Sequence, residues 1–311
     1  MEQYLLETGA AALKKAALNE KAKEYILSDP TLYAVLKKAA NRYIGGENLE
    51  ETLVKVKALN GLKCSIEFMG ESTQTEQESN EATTEFLRIC TEIRQHSLNA
   101  TVSLDLSHIG LAVSKELCSN NLHQICIEAA KAGIEVIISA EGTERTDAII
   151  QTYQQASKLH RNIAITLQAY LHRTKDDFAE LIKESGRIRI VKGAFQTAEG
   201  LSLPRGEKLD EVYLSYVEQL LAHGHLCSIA THHAAIQEKA VQLIRQYQPS
   251  NDTYEFESLF GINNEQLAGL QEQGYPTKLY FVYGQEWYLY LCNRIAEYPL
   301  NIFRALQDIV E

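Results

Sequence analysis

The sequence predicts an α/β fold, a (β/α)8 TIM-type barrel preceded by N-terminal helices. Three observations carry that prediction. Eight short β-branched runs recur along the chain, and each is followed by a segment of helical periodicity. The turn after the first run, GESTQTEQ (70–77), lacks the Gly-x-Gly-x-x-Gly signature of an open dinucleotide-binding sheet. Strands alternating with helices pair in parallel through right-handed crossovers, and eight such units is the number that closes a barrel.

Residues 1–60 show helical spacing throughout, broken at Asp29-Pro30 and Gly45-Gly46. They are expected to form a helical segment packed on a barrel of residues 61–311. The strands are placed at 64–70, 100–107, 135–141, 162–169, 187–194, 226–232, 254–261 and 277–284. The intervening segments, such as NEATTEFLRICTEIRQH and HAAIQEKAVQLIRQY, space their apolar residues as helices do. A last helix is expected from near Gln285 to the end of the chain. The Glu-rich stretch ESTQTEQESNE (71–81) reads as a solvated, mobile segment.

Composition narrows the function class. The 311 residues are 45% hydrophobic and 23% charged, with only 17 glycines and 5 prolines, which excludes collagen and low-complexity linkers. A net charge of −11 argues against nucleic acid, whose phosphates need a clustered basic face. The six cysteines stand singly, with no Cys-x-x-Cys pair, and read as reduced thiols of a cytoplasmic protein. The amphipathic start (Leu5, Leu6, Ala10 and Leu13 against Glu2, Lys14 and Lys15) lacks a signal-peptide core, and no apolar run reaches the roughly 18 residues a membrane span needs.

In a barrel the reacting groups stand at the C-terminal ends of the strands. Those ends carry Glu71; Asp105, Ser107 and His108; Ser139 and Glu141; Gln168 and Tyr170; Arg189, Lys192 and Gly193; Thr231, His232 and His233; Glu257; and Tyr280 with Tyr283. Lys192 lies in the apolar run IVKGA, where a lysine needs a partner, and an anionic ligand is the favoured one. Gly193 removes a side chain where something approaches the backbone. His232 and His233 point to opposite faces and do not make a metal pair. The aromatic run YGQEWYLY (283–290) is compatible with core packing, and Arg294 and Glu297 are spaced for an ordinary helical ion pair. No nucleophile elbow, Walker A motif or zinc spacing occurs. A rim with Gln, Arg, Lys and Thr-His at strand ends 4, 5 and 6 suits a large anionic cofactor across the mouth.

The strings QAYLHRT, RIVKGA, ATHH, FESLFGI and YGQEWYLYLCNRIAE, in that order from the fourth unit to the end, resemble the proline dehydrogenase family in its compact bacterial form. The resemblance covers the chain from about Leu53 onward. It implies a distorted barrel carrying FAD, hydride transfer from the carbon next to the proline nitrogen, 1-pyrroline-5-carboxylate as product, and electrons passed to a quinone or other acceptor. It implies flavin contacts from Ala140, Gln168, Arg189, Lys192, Gly193, Ala194, Thr231, His232 and Glu297, with Arg189 near flavin N5. It also implies substrate contacts from Tyr280, Tyr290 and Arg294, and leaves a peripheral contact with the inner membrane face open through the apolar stripe of the last helix.

Three positions depart from the family. Its second strand reads Ser-[Leu/Val]-Lys-[Leu/Pro], where this chain has Ser103-Leu104-Asp105-Leu106. Its active-site aspartate is Ser139 here, so Ser139 joins Arg189 at the catalytic positions, and one arginine of its final pair is Asn293. Asp105 and Asn293 thus stand at substrate-binding positions, in a pocket about two charges more negative than the family's. The expected substrate is a proline-like cyclic or secondary amine whose carboxylate is absent, masked or replaced by a cation. The alternatives are oxidation of L-proline itself, and a flavin-binding homologue without catalysis in which Asp105 pairs internally with Arg294.

Overall fold

The eight strands close into one parallel barrel in chain order. They are β1 (Lys63–Phe68), β2 (Ala100–Leu104), β3 (Val136–Ile138), β4 (Ile163–Gln168), β5 (Ile188–Val191), β6 (Cys227–Ala230), β7 (Tyr254–Leu259) and β8 (Thr277–Tyr283). Helices α5 (Glu76–Gln95), α6 (Lys115–Ala130), α7 (Thr146–Ala156), α8 (Thr174–Leu181), α9 (Glu207–Ala222), α10 (Ala234–Tyr247) and α11 (Asn264–Glu272) fill the crossovers. The computed structural model describes every residue except Met1, Glu71, Tyr298, Pro299 and Glu311, and the side chains of residues 2–7 and Lys14. The strand end assigned to Glu71, and the side chains of Leu5 and Leu6 in the N-terminal stripe, therefore lie outside the described residues.

Chain contacts divide the protein into two units, Asn60–Tyr280 and a second one formed by Met1–Leu59 with Phe281–Glu311. In the first, each helix turns an apolar stripe inward. On α5 it is Ala82, Phe86, Ile89 and Ile93, at the spacing that keeps one helical face buried. The stretch expected to be solvated and mobile is instead helical from Glu76. Thr75 accepts from the Glu78 backbone and the Glu78 carboxylate accepts from Thr75 N, a capping box that satisfies two otherwise orphaned donors. Charge density misled there because the glutamates line the outer face of an amphipathic helix.

The barrel interior is polar rather than aliphatic. Strand alternation and register set Glu67 beside Ser103, Thr166 beside Arg189, Arg189 beside Ser228, Ser228 beside Glu255, and Glu257 beside Lys278. Lys278 is fully buried and reaches Glu255 at 2.6 Å and Glu257 at 3.0 Å. Glu255 also accepts from Lys63 at 2.7 Å and Ser228 at 2.6 Å, while Arg187 bonds Glu135 at 3.1 Å. Burial alone would raise the Glu255 carboxyl; Lys278, Arg187 and Lys63 outweigh it and hold it well below the ordinary carboxylate range.

The second unit holds α1 (Glu2–Ala17), α2 (Glu20–Ser28), α3 (Pro30–Ala40), α4 (Leu49–Lys57), α12 (Trp287–Glu297) and α13 (Asn301–Val310); α1 packs on α12, α3 on both α12 and α13, and α2 on α1 and α3. Asp29 caps α3 through the backbone N–H groups of Thr31 and Leu32, and Pro30 occupies its first turn, where no donor is needed. Gly45 N donates to Val282 O at 2.7 Å and Gly284 N to Gly46 O at 3.1 Å, so the two segments share backbone hydrogen bonds. Trp287 is buried and its indole N–H donates to Glu47 at 2.6 Å, so the aromatic run supplies core. The chain closes on two helices, α12 and α13, rather than one. The sequence between them holds Pro299, which has no N–H to continue a helix.

Because Glu255 is held low in the folded state, its contribution is complete above the unfolded value of about 4.3 and is lost as pH falls below it. Glu255→Gln is expected to cost about 3–5 kcal/mol at neutral pH and to flatten the loss between pH 7 and pH 3. Urea midpoints across that range check it, and an unchanged acid slope would remove Glu255 as its source.

Candidate active site at the barrel mouth

Arg189 is the organising charge of the barrel interior near its C-terminal end. It projects from β5, is nearly fully buried, and gives its donors to four elements: Nε to Thr166 at 2.8 Å, Nη1 to Ser103 at 3.0 Å and Glu257 at 3.2 Å, and Nη2 to Ser139 at 3.1 Å. Its plane lies 5.1 Å from the Tyr280 ring. Burial works against the charge, but Glu257, Tyr280 and Glu67 overcome it and keep the guanidinium protonated.

Besides Glu257, three further carboxyls stand around Arg189. Glu67, on β1, accepts from Ser139 Oγ at 2.7 Å and forms a very short hydrogen bond with the Tyr280 hydroxyl. Glu141 accepts from Ser107 N at 3.1 Å and lies 3.8 Å from Arg145. Asp105, directly after β2, is half-buried, and among the described residues no side chain donates to its carboxyl or pairs with it at salt-bridge distance. Burial, then Glu67 and then Glu141, push Asp105 well above the usual aspartate value. Burial likewise raises Glu67, and burial with the Glu67 charge raises Tyr280.

The residues expected around a cofactor follow on neighbouring strand ends. Gln168 closes β4, and its amide N–H donates to Glu141 O at 3.0 Å, leaving Oε1 with no described donor. Lys192 follows β5 and meets a protein anion, Asp210 of α9, at 2.6 Å, with His233 at 3.2 Å. The anion beside Lys192, expected to be a ligand, is in this structure a carboxylate of the chain itself. Gly193 adopts φ +107°, and a Cβ there would sit 2.2 Å from the Tyr170 ring, so glycine is required. Ala194 is exposed, Ala140 and His232 are half-buried, and Thr231 Oγ1 accepts from His233 N at 3.1 Å.

Tyr290, Asn293, Arg294 and Glu297 belong to the other unit, all on α12. Arg294 bonds Glu297 at 2.8 Å and stacks 4.9 Å from the Tyr290 ring, the helical pairing their spacing implies. His108 is no reactive group. It is buried against Phe68 and Phe86, and burial lowers it to about 4.

Sequence reading passed over Glu67, Ser103 and Thr166. Their signal was present: period-two alternation puts them on the same face as Arg189, and a glutamate inside CSIEFMG is as anomalous as a lysine inside IVKGA.

A closed barrel with its titratable side chains gathered at the strand ends is the arrangement of a barrel enzyme. A family model described as "Proline dehydrogenase" matches residues 49–298. Proline dehydrogenase 2 of Bacillus subtilis (strain 168) is 30% identical over 275 residues, covering 88% of this chain and 91% of that protein. Proline dehydrogenase of Deinococcus radiodurans is 26% identical over 279 residues, covering 88% and 90%. Among solved structures, proline utilization A (PutA) from Bdellovibrio bacteriovorus inactivated by N-propargylglycine superposes with a TM-score of 0.82 at 16% identity. That match covers 96% of this chain but 37% of that one, and shows the fold. The chain belongs to the proline dehydrogenase family, whose members are FAD-dependent oxidoreductases acting on CH–NH donors.

Arg189→Met removes the cation that four strand elements share and leaves Glu67 with less compensation. It is expected to cost about 3–5 kcal/mol of stability, read from urea unfolding.

Proposed function

We propose that this chain oxidises the C–N bond of a proline-like cyclic or secondary amine, with FAD as hydride acceptor. The observation that supports it most is the set of side chains at consecutive strand ends β4 to β6 in a barrel of this family: Gln168, Arg189, Lys192-Gly193-Ala194 and Thr231-His232.

These residues fit a flavin. Gln168 Oε1 is an acceptor without a described donor, and Lys192, His233 and Arg205 gather near the Gly193 turn, where Arg205 donates to Gly193 O at 3.2 Å. Gln168, Arg189, Gly193, Ala194 and Ala140 would hold the ring system; Lys192, Thr231 and His232 would hold the chain and phosphates. FAD, when bound, supplies the hydride acceptor.

The chain's own part is electrostatic. Arg189 keeps a positive charge, fixed from four sides, that would stabilise negative charge on a flavin reduced beside it. Ser139 and Tyr280 hold Glu67 in place, so the substrate meets a rigid wall of hydroxyl and carboxyl groups. Roles for Tyr290, Asn293, Arg294 and Glu297 rest on the resemblance alone, which also implies a quinone or other compound as electron acceptor; the catalytic body at residues 61–311 rests on the sequence pattern.

L-Proline itself is the second reading, favoured by the 30% identity to a relative named proline dehydrogenase. Purified chain is expected to carry flavin, and anaerobic addition of a pyrrolidine-class amine should bleach its visible absorbance. Colourless protein that takes up no FAD would sink the reading. Gly193→Ala is expected to lower the flavin-to-protein ratio and to destabilise the fold by about 1 kcal/mol or more, since alanine is strained at this φ and meets Tyr170.

A further inference from the structure

We propose that Asp105 sets the substrate class at this mouth, selecting an amine that is cationic overall and carries no free carboxylate. The inference rests on the amine-oxidation reading above and adds to it the charge of the molecule oxidised.

The geometry distinguishes Asp105 from its neighbours. Of the three carboxyls, Glu67 is held by Ser139 and Tyr280, and Glu141 by the Ser107 backbone with Arg145 nearby. Asp105 alone of the three lacks a described donor, and it alone is half-buried rather than buried, so a ligand can reach it. The buried cation of the mouth is already committed: Arg189 is shared among Glu257, Ser103, Ser139 and Thr166. A carboxylate entering this unit's rim would meet acid on several sides, and the Arg189 guanidinium it would seek is already bonded to Glu257 and three hydroxyls.

A secondary amine resembles lysine in basicity and enters as an ammonium at neutral pH. Opposite charge nearby favours the ionised carboxyl, so the ammonium and Asp105 stabilise each other while Glu67 and Glu141 reinforce the cation. A zwitterionic amino acid brings the same ammonium together with a carboxylate, which opposes ionisation of Asp105 instead of favouring it. Pyrrolidine and L-prolinamide have the favoured charge, and L-proline does not.

The test uses full-length holoprotein, wild type and Asp105→Asn. Anaerobic stopped-flow bleaching of the flavin is measured with L-prolinamide, pyrrolidine and L-proline. Wild type is expected to favour L-prolinamide over L-proline by about tenfold or more in the bimolecular reduction rate, as one charged hydrogen bond implies. Asp105→Asn should bring that ratio to within about twofold of unity. An unchanged ratio in the variant, or a wild type that prefers L-proline, overturns the proposal while leaving amine oxidation standing. Thermal shift supplies a readout without turnover: L-prolinamide should raise the Tm of wild type more than L-proline does, and this difference should vanish in Asp105→Asn. Equal shifts overturn the proposal. If no amine bleaches the flavin yet the thermal difference appears, the oxidation reading fails and the charge preference survives.

Discussion

A guanidinium held away from bulk water governs the centre of this barrel. Arg189 must satisfy its donors inside the protein, because a buried charge without partners is far costlier than the same charge in water. The strands answer with hydroxyls at Ser103, Ser139 and Thr166 and a carboxylate at Glu257. Each of those side chains thereby loses its freedom, and Ser139 passes the constraint to Glu67 and from there to Tyr280. Below this layer Lys278 and Glu255 repeat the device. Where an aliphatic core would define position by packing alone, paired charges define it by direction, which suits a site that must aim individual atoms.

A closed barrel in chain order and the glycine turn at 193 frame a mouth that carries Asp105 after β2 and Ser139 after β3. In this setting Ser139 has work of its own, bridging Arg189 and Glu67 with one hydroxyl. A second aspartate at that position would crowd Glu67 with like charge. Serine there lets β1 keep its carboxylate close by.

Much of the fold was legible because the barrel repeats. Period-two runs followed by period-3.6 stripes are local signals, and the number of units closes the sheet. What was misread was local chemistry overridden by context. The segment 76–81 looked mobile because charge says nothing of the capping box that starts α5 at Thr75; its glutamates are solvated, on the outer face of a helix. Lys192 looked in need of a ligand because its partner, Asp210, lies 18 residues downstream on a different element. The strand ends carrying Arg189, Gln168 and Gly193 were legible from position alone. Glu67 lies inside the first run and not at its end; alternation marks it as inward-facing, while its pairing with Ser139 and Tyr280 depends on strands distant in sequence.

The chain's first 59 residues and its last 31 share one unit, stitched by backbone bonds from Gly45 to Val282 and from Gly284 to Gly46. Trimming the leader to obtain a minimal barrel would therefore not remove a dispensable ornament. It would strip the packing partners from α12 and α13, exposing Trp287 and separating Arg42 from Asp308. Production of shortened versions should accordingly yield insoluble material, and engineering for crystallisation or immobilisation belongs on the outer faces of the crossover helices instead.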